Sequence, residues 1–356
     1  MNVEALTSEA IALLKRLIAT PRTSRNEGEA ADLLAHFIEE KGLTYQREAN
    51  NLWCISPNYD SSRPTLLLNA HIDTVKPVSA WTRNPFAPTI EEGRLYGLGS
   101  NDDGASLVSL LQVFRVLSSR PQAYNLVFLA SAEEEVSGRD GIERALPLLP
   151  PISVALVGEP TGMQPAVAEK GLMVLDCTAL GKAGHAARNE GVNAIYAAMK
   201  DMEWFRTYQF PDETDLLGPV KMSVTIVNAG TQHNVIPDQC TFTVDVRSNE
   251  CYSNEDIYNK VCEKVTCDVK ARSFRLNSSR IDINHPLVQS AIKVGGHPFG
   301  SPTLSDQALM PFPSMKMGPG ESSRSHTADE FICLTEIKEA ISTYLQMLDG
   351  LVLSHA

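Results

Sequence analysis

Three short apolar runs, separated by stretches with helical periodicity, constrain the fold of this chain more than any other feature. They lie at residues 64–70, 125–130 and 154–157. Runs of this kind fill parallel sheets that are covered on both faces, and their alternation with amphipathic segments indicates an α/β domain. Amphipathic patterns at residues 9–18 and 27–41 predict two helices ahead of the first strand, with Thr7 as the N-cap of the first helix.

The pattern changes in the middle of the chain, between Gly171 and Ile281. There we predict a strand, a helix, two strands, a helix and a strand at residues 173–180, 192–205, 221–227, 239–247, 254–265 and 269–274. This order is that of a split βαβ unit, which can form a core of its own. The chain then returns with a predicted helix, strand and closing helix at residues 285–295, 314–317 and 334–348.

We therefore predict an α/β fold with two domains, as expected for a chain of 356 residues. Residues 1–170 and 282–356 are predicted to form a domain with a mixed, mostly parallel sheet. Residues 171–281 are predicted to form an inserted domain of the split βαβ, or ferredoxin-like, type.

The charge of the chain argues against nucleic-acid and membrane partners. The formal net charge is −12 and no cluster of lysine and arginine appears, whereas phosphate binding needs a basic surface. The start of the chain is acidic and amphipathic, so we expect no signal peptide, and no apolar run is long enough to span a bilayer. Seven cysteines, an odd number without paired CxxC spacing, favour reduced thiols in the cytoplasm. A small molecule is therefore the expected partner.

Histidine and acidic residues follow the three apolar runs. His71 and Asp73 come after the first run, three consecutive glutamates at 133–135 after the second, and Glu159 after the third. Because open α/β sheets bind ligands at the carboxyl ends of their strands, we expect these side chains to converge on one crevice.

Asp102 and His326 extend this set of possible metal ligands. Carboxylate and imidazole groups in this ratio suit Zn²⁺, Co²⁺ or Mn²⁺. Two such ions that share a carboxylate produce hydroxide at neutral pH and polarise a carbonyl group. Taken singly, each residue would more often be a solvated loop charge or a hydrogen-bonded core group. Only the complete set favours a two-metal hydrolase.

Seven short stretches then resemble those of one known family, in the same order along the chain. They are HID at 71–73, YGLGSND at 96–102, AEEE at 132–135, GEPT at 158–161, GH at 184–185, NVIPD at 234–238 and HTADE at 326–330. Over nearly its whole length the chain resembles the acetylornithine deacetylase and succinyl-diaminopimelate desuccinylase family, which are co-catalytic dimetal amidohydrolases with peptidase relatives. Each stretch is weak alone, but the ordered set is specific.

The resemblance implies a ligand set for two divalent ions, with zinc expected and cobalt or manganese as alternatives. One ion would be held by His71, Asp102 and Glu159, and the other by Asp102, Glu135 and His326. Asp102 would bridge the two ions, since a carboxylate has two oxygens whereas an imidazole offers one coordinating nitrogen at a time.

The resemblance also implies catalytic and substrate-binding residues. Glu134 would be the general base, although a run of three glutamates is by itself more typical of a solvated helix start. Asp73 would accept the remaining ring N–H of His71. His185 would stabilise the tetrahedral oxyanion from the partner subunit of a dimer; alternatively it is a turn histidine before a helix. Asn234 and Arg247 would contact substrate, and Arg247 could instead form a structural ion pair.

The chain departs from the family pattern around Asp102. Family members often carry Arg-Gly before this aspartate and Met-Lys-Gly after it, whereas here Leu98-Gly99 precedes it and Asp103-Gly-Ala follows. The candidate ligand is retained, but the local charge balance differs. The loop at residues 318–326 resembles that of members acting on N-acyl basic amino acids, with Glu321 or Arg324 as candidates to contact the far end of the substrate.

The expected activity is deacylation of an N-acyl-L-amino acid, most simply N²-acetyl- or N²-succinyl-ornithine or -citrulline in arginine biosynthesis. A succinyl-diaminopimelate desuccinylase and a di- or tripeptidase or carboxypeptidase use the same chemistry and stay open. A binding protein that has lost catalysis would require a missing ligand or base, and none is missing. The inserted domain is expected to act as a lid and to pair edge to edge in a homodimer.

Overall fold

The computed structural model describes residues 2–188 and 190–353. This part of the chain contains eight α-helices and eighteen β-strands. The helices are α1 (Val3–Ala19), α2 (Gly28–Glu40), α3 (Ala105–Ser118), α4 (Ile142–Ala145), α5 (Ala194–Thr207), α6 (Asn254–Lys264), α7 (Pro286–Lys293) and α8 (Leu334–Leu348). The strands are β1 (Gln46–Glu48), β2 (Asn51–Ile55), β3 (Thr65–His71), β4 (Thr89–Glu91), β5 (Arg94–Tyr96), β6 (Asn125–Ser131), β7 (Val154–Val157), β8 (Ala166–Glu169), β9 (Met173–Leu180), β10 (Gly184–His185), β11 (Lys221–Ala229), β12 (Val235–Ile236), β13 (Gln239–Arg247), β14 (Asp268–Ala271), β15 (Ser279–Arg280), β16 (Phe299–Ser301), β17 (Ser314–Lys316) and β18 (Phe331–Cys333).

The chain divides into two compact units. Unit 1 comprises Met1–Val167, Arg280–Phe299 and Ser305–Ala356, and unit 2 comprises Ala168–Ser279 and Gly300–Leu304. No sequence pattern indicated that residues 300–304 belong with the second unit. The lid and dimerisation roles expected of the inserted domain stay predictions.

Unit 1 is built on a mixed sheet that contains the strand order β1-β2-β6-β3-β7-β17. β3 runs parallel to β6 and β7, and β17 runs parallel to β7, whereas β1 and β2 form an antiparallel edge. Every residue of β3, β6 and β7 is buried, as expected for strands covered on both faces. The predicted mixed, mostly parallel sheet is confirmed.

Hydrophobic clusters support the sheet of unit 1. The larger cluster joins strand residues to the apolar sides of α1, α2, α3 and α8, and includes Phe114 and Phe128, whose ring centroids lie 6.2 Å apart. A smaller cluster contains Trp53 and Leu67 together with Ile142 of α4. Burial of a side chain of this size contributes about 1.5–3 kcal/mol, so the sheet is a stable platform for the side chains at its strand ends.

The first helix begins earlier than the sequence pattern indicated. α1 starts at Val3, and the side chain of Asn2 accepts a hydrogen bond from the N–H of Glu4 at 3.0 Å. Thr7 lies inside the helix, where its hydroxyl donates to the main-chain oxygen of Val3 at 2.8 Å. The prediction of Thr7 as N-cap is therefore wrong, because asparagine caps at least as well as threonine and Asn2 stands earlier in the chain.

Unit 2 has its main elements in the order β9-α5-β11-β13-α6-β14, which is the predicted split βαβ arrangement. Its four-stranded sheet is antiparallel, in the order β11-β13-β9-β14. Buried and partly exposed residues alternate along β9 and β13, so one face of the sheet is covered. Phe205 of α5, Phe242 of β13 and Ile257 of α6 belong to the core that covers it.

No helix among the described residues is long and apolar enough to cross a bilayer. The seven cysteines all lie in the described part of the chain and are free thiols.

Candidate metal centre

The strand ends of unit 1 bring the candidate ligands to one edge of the sheet. β3 ends at His71, β6 is followed by the loop of residues 132–137, and β7 is followed by Glu159. Asp102 lies in the irregular turn of residues 99–104 that leads into α3, and His326 lies in the loop before β18. Because β3, β6 and β7 are parallel neighbours, their carboxyl ends meet at the same edge.

Asp102 lies between the two histidines. Its Oδ1 is 3.1 Å from Nε2 of His71, and its Oδ2 is 3.6 Å from Nε2 of His326. The same nitrogen of His326 lies 2.9 Å from Oε2 of Glu135. The two oxygens of one carboxylate thus face two different imidazoles, which is the arrangement that a carboxylate shared by two ions requires.

Among the residues that the structure describes, two groups of side chains are close enough to hold an ion, with ligand atoms within 4.8 Å of one another. They are His71, Glu134 and Glu159 in one group and His71, Asp102 and Glu135 in the other. The first group contains Glu134 where the sequence analysis placed Asp102. The structure therefore brings the expected base to within 4.8 Å of ligand atoms of two expected ligands, so Glu134 is placed for either role.

The charges of this pocket favour a cation. Burial raises the pKa of Glu134 and Glu159 well above the ordinary value for glutamate, and neighbouring carboxylates act in the same direction. Burial opposes the charged form of His71, but hydrogen bonds to Asp102 and Asp73 outweigh it and raise its pKa well above the usual value. A crowded set of carboxylates with imidazole nitrogen is a donor set that fits Zn²⁺, Co²⁺ or Mn²⁺.

The loop that carries Glu134 and Glu135 is held by its backbone. The amides of residues 132–135 each donate to a side chain of another segment. The acceptors are Asn51 Oδ1 (2.9 Å), Glu27 Oε1 (3.3 Å), Asp73 Oδ1 (3.0 Å) and Asp73 Oδ2 (3.2 Å), in that order. These bonds help to hold the left-handed conformations of Glu133 (φ 54°) and Ser137 (φ 44°), which few non-glycine residues adopt.

Asp73 connects this loop to His71. Nδ1 of His71 lies 3.0 Å from the main-chain oxygen of Asp73 and 3.5 Å from its Oδ1. The Ser24 hydroxyl donates to Oδ2 of Asp73 at 2.7 Å. Asp73 therefore lies beside the ring N–H of His71 as expected, but its main-chain oxygen is nearer than its carboxylate, and its role as the acceptor stays a prediction.

Three further charged residues adjoin the candidate ligands. Glu330 accepts from the amides of Gly99, Asn101 and Asp102 at 2.8–3.0 Å and so holds the turn of residues 99–104. Asp306 accepts from the Ser131 hydroxyl at 2.6 Å, and its charge helps to raise the pKa of Glu134. Lys316, buried in β17, partly offsets the raised pKa of Glu159. Glu330 ends the HTADE stretch, whereas no pattern around Asp306 or Lys316 indicated a role.

The candidate residues of unit 2 fall in two places. The short strands β10 and β12 pair His185 with Val235, and the N–H of Ala186 donates to the main-chain oxygen of Asn234 at 3.0 Å, so His185 and Asn234 are neighbours and both are exposed. Arg247 donates from Nε and Nη2 to the two carboxylate oxygens of Asp245 at 2.9 and 3.1 Å. The alternative of an ion pair is thus observed for Arg247.

Known proteins resemble the chain over nearly all its length. The family model described as "Peptidase family M20/M25/M40" matches residues 67–350. The chain belongs to this family. An acetylornithine deacetylase from Proteus mirabilis (strain HI4320) is 26% identical to it over 388 residues, covering 99% of each chain. A succinyl-diaminopimelate desuccinylase from Anaplasma marginale (strain Florida) is 24% identical over 281 residues, covering 72% of each chain.

Solved structures of M20 proteins share the fold. A tripeptidase from Staphylococcus aureus has a TM-score of 0.76 at 20% identity, covering 96% of this chain and 97% of that one. A dinuclear metal-binding peptidase of the M20 family from Bacillus subtilis has a TM-score of 0.75 at 19% identity, covering 99% and 100%. The predicted family is confirmed, and with it the prediction of a metal-dependent amidohydrolase.

Proposed function

We propose that this M20 protein removes the acyl group from an N-acyl-L-amino acid by hydrolysis of its amide bond. The observation that carries the proposal is the placement of Glu134 within 4.8 Å of His71 and Glu159, beside a carboxylate of Asp102 that faces two histidines. A proton acceptor next to a set of metal ligands is what amide hydrolysis requires.

The chain's own residues would divide the work. His71, Asp102, Glu135, Glu159 and His326 would hold two divalent ions, for which we propose zinc. Such ions, when bound, polarise an acyl carbonyl and lower the pKa of water. Glu134 would accept a proton from the attacking water and donate it to the departing amine nitrogen, so that a carboxylic acid and a free amino acid leave.

The proposed substrates are N²-acetyl- or N²-succinyl-ornithine and the corresponding citrullines, in arginine biosynthesis in the cytoplasm. The full-length similarity to an acetylornithine deacetylase supports this choice. Arg324 is committed to Glu336, with contacts of 3.1 and 2.7 Å. Glu321 is exposed, and its carboxylate lies against Gly162, three residues after Glu159. Of the two candidates, Glu321 is therefore the better placed to receive the ammonium group of ornithine.

Two related activities are alternatives. Succinyl-diaminopimelate desuccinylase is supported by a relative of that name at 24% identity. Di- or tripeptidase or carboxypeptidase activity uses the same chemistry, and solved structures with those names share the fold. The deacylase is favoured because its relative is slightly more identical, at 26% against 24%, over 99% of both chains.

The test is hydrolysis of a substrate panel by protein stripped with a chelator and then reloaded with zinc, cobalt or manganese. The panel contains N-acetyl- and N-succinyl-ornithine, N-acetyl-citrulline, succinyl-diaminopimelate and dipeptides. Chelator-sensitive release from one acyl-ornithine or acyl-citrulline supports the proposal and identifies the acyl group. Turnover of dipeptides alone moves the protein to the peptidases, and no turnover with both ions bound contradicts an enzymatic role.

We further propose that the chain forms a homodimer through unit 2. β11 is the last strand of its sheet, and Ile226 and Val227 on it are each 51% exposed. On α5, Tyr196 and Met199 are also exposed. An unpaired, apolar edge strand beside exposed apolar side chains is typical of a surface covered in an assembly.

His185 is proposed to donate a hydrogen bond to the developing oxyanion in the partner's site. A mixture of two inactive variants tests this. In a dimer of His185→Ala with Glu134→Gln, one site would regain both an intact Glu134 and an intact His185 if His185 acts across the dimer. Random mixing then restores about a quarter of wild-type activity, whereas action within one subunit restores none.

A further inference from the structure

Arg22 is a fully buried arginine in the segment that follows α1. It is 2% exposed, and its Nη2 donates to the main-chain oxygen of Gly99 at 2.8 Å. No hydrogen-bond partner lies near its Nε or Nη1 among the described residues. A buried guanidinium with a single hydrogen bond is unusual, because burial of an unpaired charge is costly.

The guanidinium fits closely behind the turn of residues 99–104. Gly99 has φ 71°, and a Cβ atom there would collide with Nη2 of Arg22 and with the Thr74 methyl group. A Cβ atom at Gly104 would lie 3.0 Å from the same nitrogen. The turn therefore has glycine at the two positions where it approaches Arg22, and the guanidinium fills the space between them.

The charges around Arg22 belong to the candidate metal centre. Burial lowers its pKa to about 10, so it stays protonated at neutral pH, and the charges of Glu330, Asp73, Asp103 and Asp102 all oppose that fall. Glu330 binds the amide of Gly99 at 3.0 Å, while Arg22 binds its carbonyl. The two peptide groups that flank Gly99 are thus each held by a buried side chain, the carboxyl group of Glu330 on one and the guanidinium of Arg22 on the other.

The residues next to Asp102 carry no positive charge. Leu98 precedes it and Asp103 and Gly104 follow, where members of the resembled family often have arginine and lysine. Arg22 is 77 residues from Gly99 in sequence, yet its hydrogen bond to Gly99 brings a positive charge to the turn of residues 99–104.

We propose that Arg22 is a positioning residue for Asp102, holding the turn of residues 99–104 so that the two oxygens of Asp102 face His71 and His326. This rests on the proposed function in one respect, namely that Asp102 is a shared ligand. If Arg22 acted only through its charge, the opposite result would be expected. The guanidinium would then repel a metal ion, and its removal would strengthen metal binding.

The experiment compares Arg22→Met, Arg22→Lys and Arg115→Met with the wild-type protein. Arg115 is a matched control, because its side chain is also only 10% exposed and it is ion-paired with Glu9 at 2.7 Å, away from the turn. Zinc affinity is measured by competition with a chromophoric chelator, and hydrogen exchange of peptides covering residues 97–104 is measured in metal-free protein. Neither readout depends on hydrolysis, so failure of the proposed function leaves this test intact.

We expect Arg22→Met to bind zinc about 10- to 100-fold more weakly, as for other residues that orient a metal ligand, and to exchange faster at residues 97–104. Arg22→Lys should have zinc affinity and hydrogen exchange between those of the wild type and Arg22→Met, because lysine keeps the charge but lacks the planar guanidinium group. Arg115→Met should match the wild type in both readouts. Unchanged or tighter zinc binding by Arg22→Met overturns the proposal. If that variant does not fold, wild-type affinity and exchange in Arg22→Lys overturn it instead.

Discussion

Replacement of Glu134 by glutamine separates the two roles that its position allows. The carboxylate lies within 4.8 Å of ligand atoms of His71 and Glu159, so it could serve as proton acceptor or as ligand. Glutamine keeps the size of the side chain and leaves the loop backbone bonded to Asp73, but it cannot accept a proton at neutral pH. The variant therefore removes one function with little change of shape.

The expected loss follows from the base role. Positioned general bases contribute about 10²–10⁴ in rate, so kcat should fall by that factor, which corresponds to about 3–5 kcal/mol in the barrier. The metal-free variant should melt at the same temperature as the wild type or higher, because burial, together with the charges of Glu159, Asp306 and Glu135, disfavours a charge on Glu134. Steady-state kinetics give kcat, metal analysis after dialysis gives the number of ions per chain, and a thermal melt of the chelated protein gives its Tm.

Glu133→Gln is the control, since it makes the same substitution one residue away. Its only described ion pair is a 4.0 Å contact with Arg25, so turnover should change by less than about fivefold. Loss of one metal ion per chain from Glu134→Gln would show that Glu134 is a ligand and refute the assignment. Retention of wild-type turnover would refute it equally.

Four further outcomes are expected. Asp73→Asn should weaken zinc binding about 10- to 100-fold in a competition assay, because one amide oxygen cannot replace the two carboxylate oxygens that the loop amides contact; unchanged affinity would contradict its positioning role. Glu321→Gln should raise KM for acyl-ornithine about two- to fivefold and leave that for acyl-citrulline unchanged, because only ornithine carries a side-chain charge; equal effects on both substrates would exclude charge recognition. Ile226→Asp should convert the proposed dimer to a monomer in light scattering, and a dimer that persists in the variant would place the interface elsewhere. Tyr344→Phe removes a buried hydroxyl that donates to the main-chain oxygen of Met317 at 2.7 Å, and should lower Tm by about 2–4 °C without changing kcat; a fall in kcat would instead connect Tyr344 to the active site.

The sheet and the side chains at its strand ends could be predicted from sequence because each depends on a local pattern. An apolar run indicates the strand, and the first polar residue after it falls at the carboxyl edge. This places His71 and Glu159 without knowledge of strand order. The split βαβ order of unit 2 could be predicted in the same way, because it follows from the order in which helical and strand-like hydrophobic patterns occur along the chain.

The residues that hold the candidate ligands could not be predicted in this way. Arg22 and Glu330 both bind the backbone of Gly99, although the three residues are far apart in sequence. No hydrophobic pattern along the chain indicates that they come together. The ion pair of Arg247 with Asp245 is different, because residues two apart on a strand share a face. The spacing of Asp245 and Arg247 on a predicted strand therefore already favours the ion pair over a substrate contact for Arg247.

The backbone bonds of residues 132–135 have a consequence for how this protein acquires its metal. The groups that accept from those amides, on Asn51, Glu27 and Asp73, are not among the expected ligands. The backbone of this loop is therefore held without help from the expected ligands, so little conformational entropy would be lost when an ion binds. Release and reloading can then occur without local unfolding. Because nitrogen and oxygen donors bind several divalent ions in the Irving–Williams order, the ion present in a cell would depend on the supply of metals there as well as on the donor set.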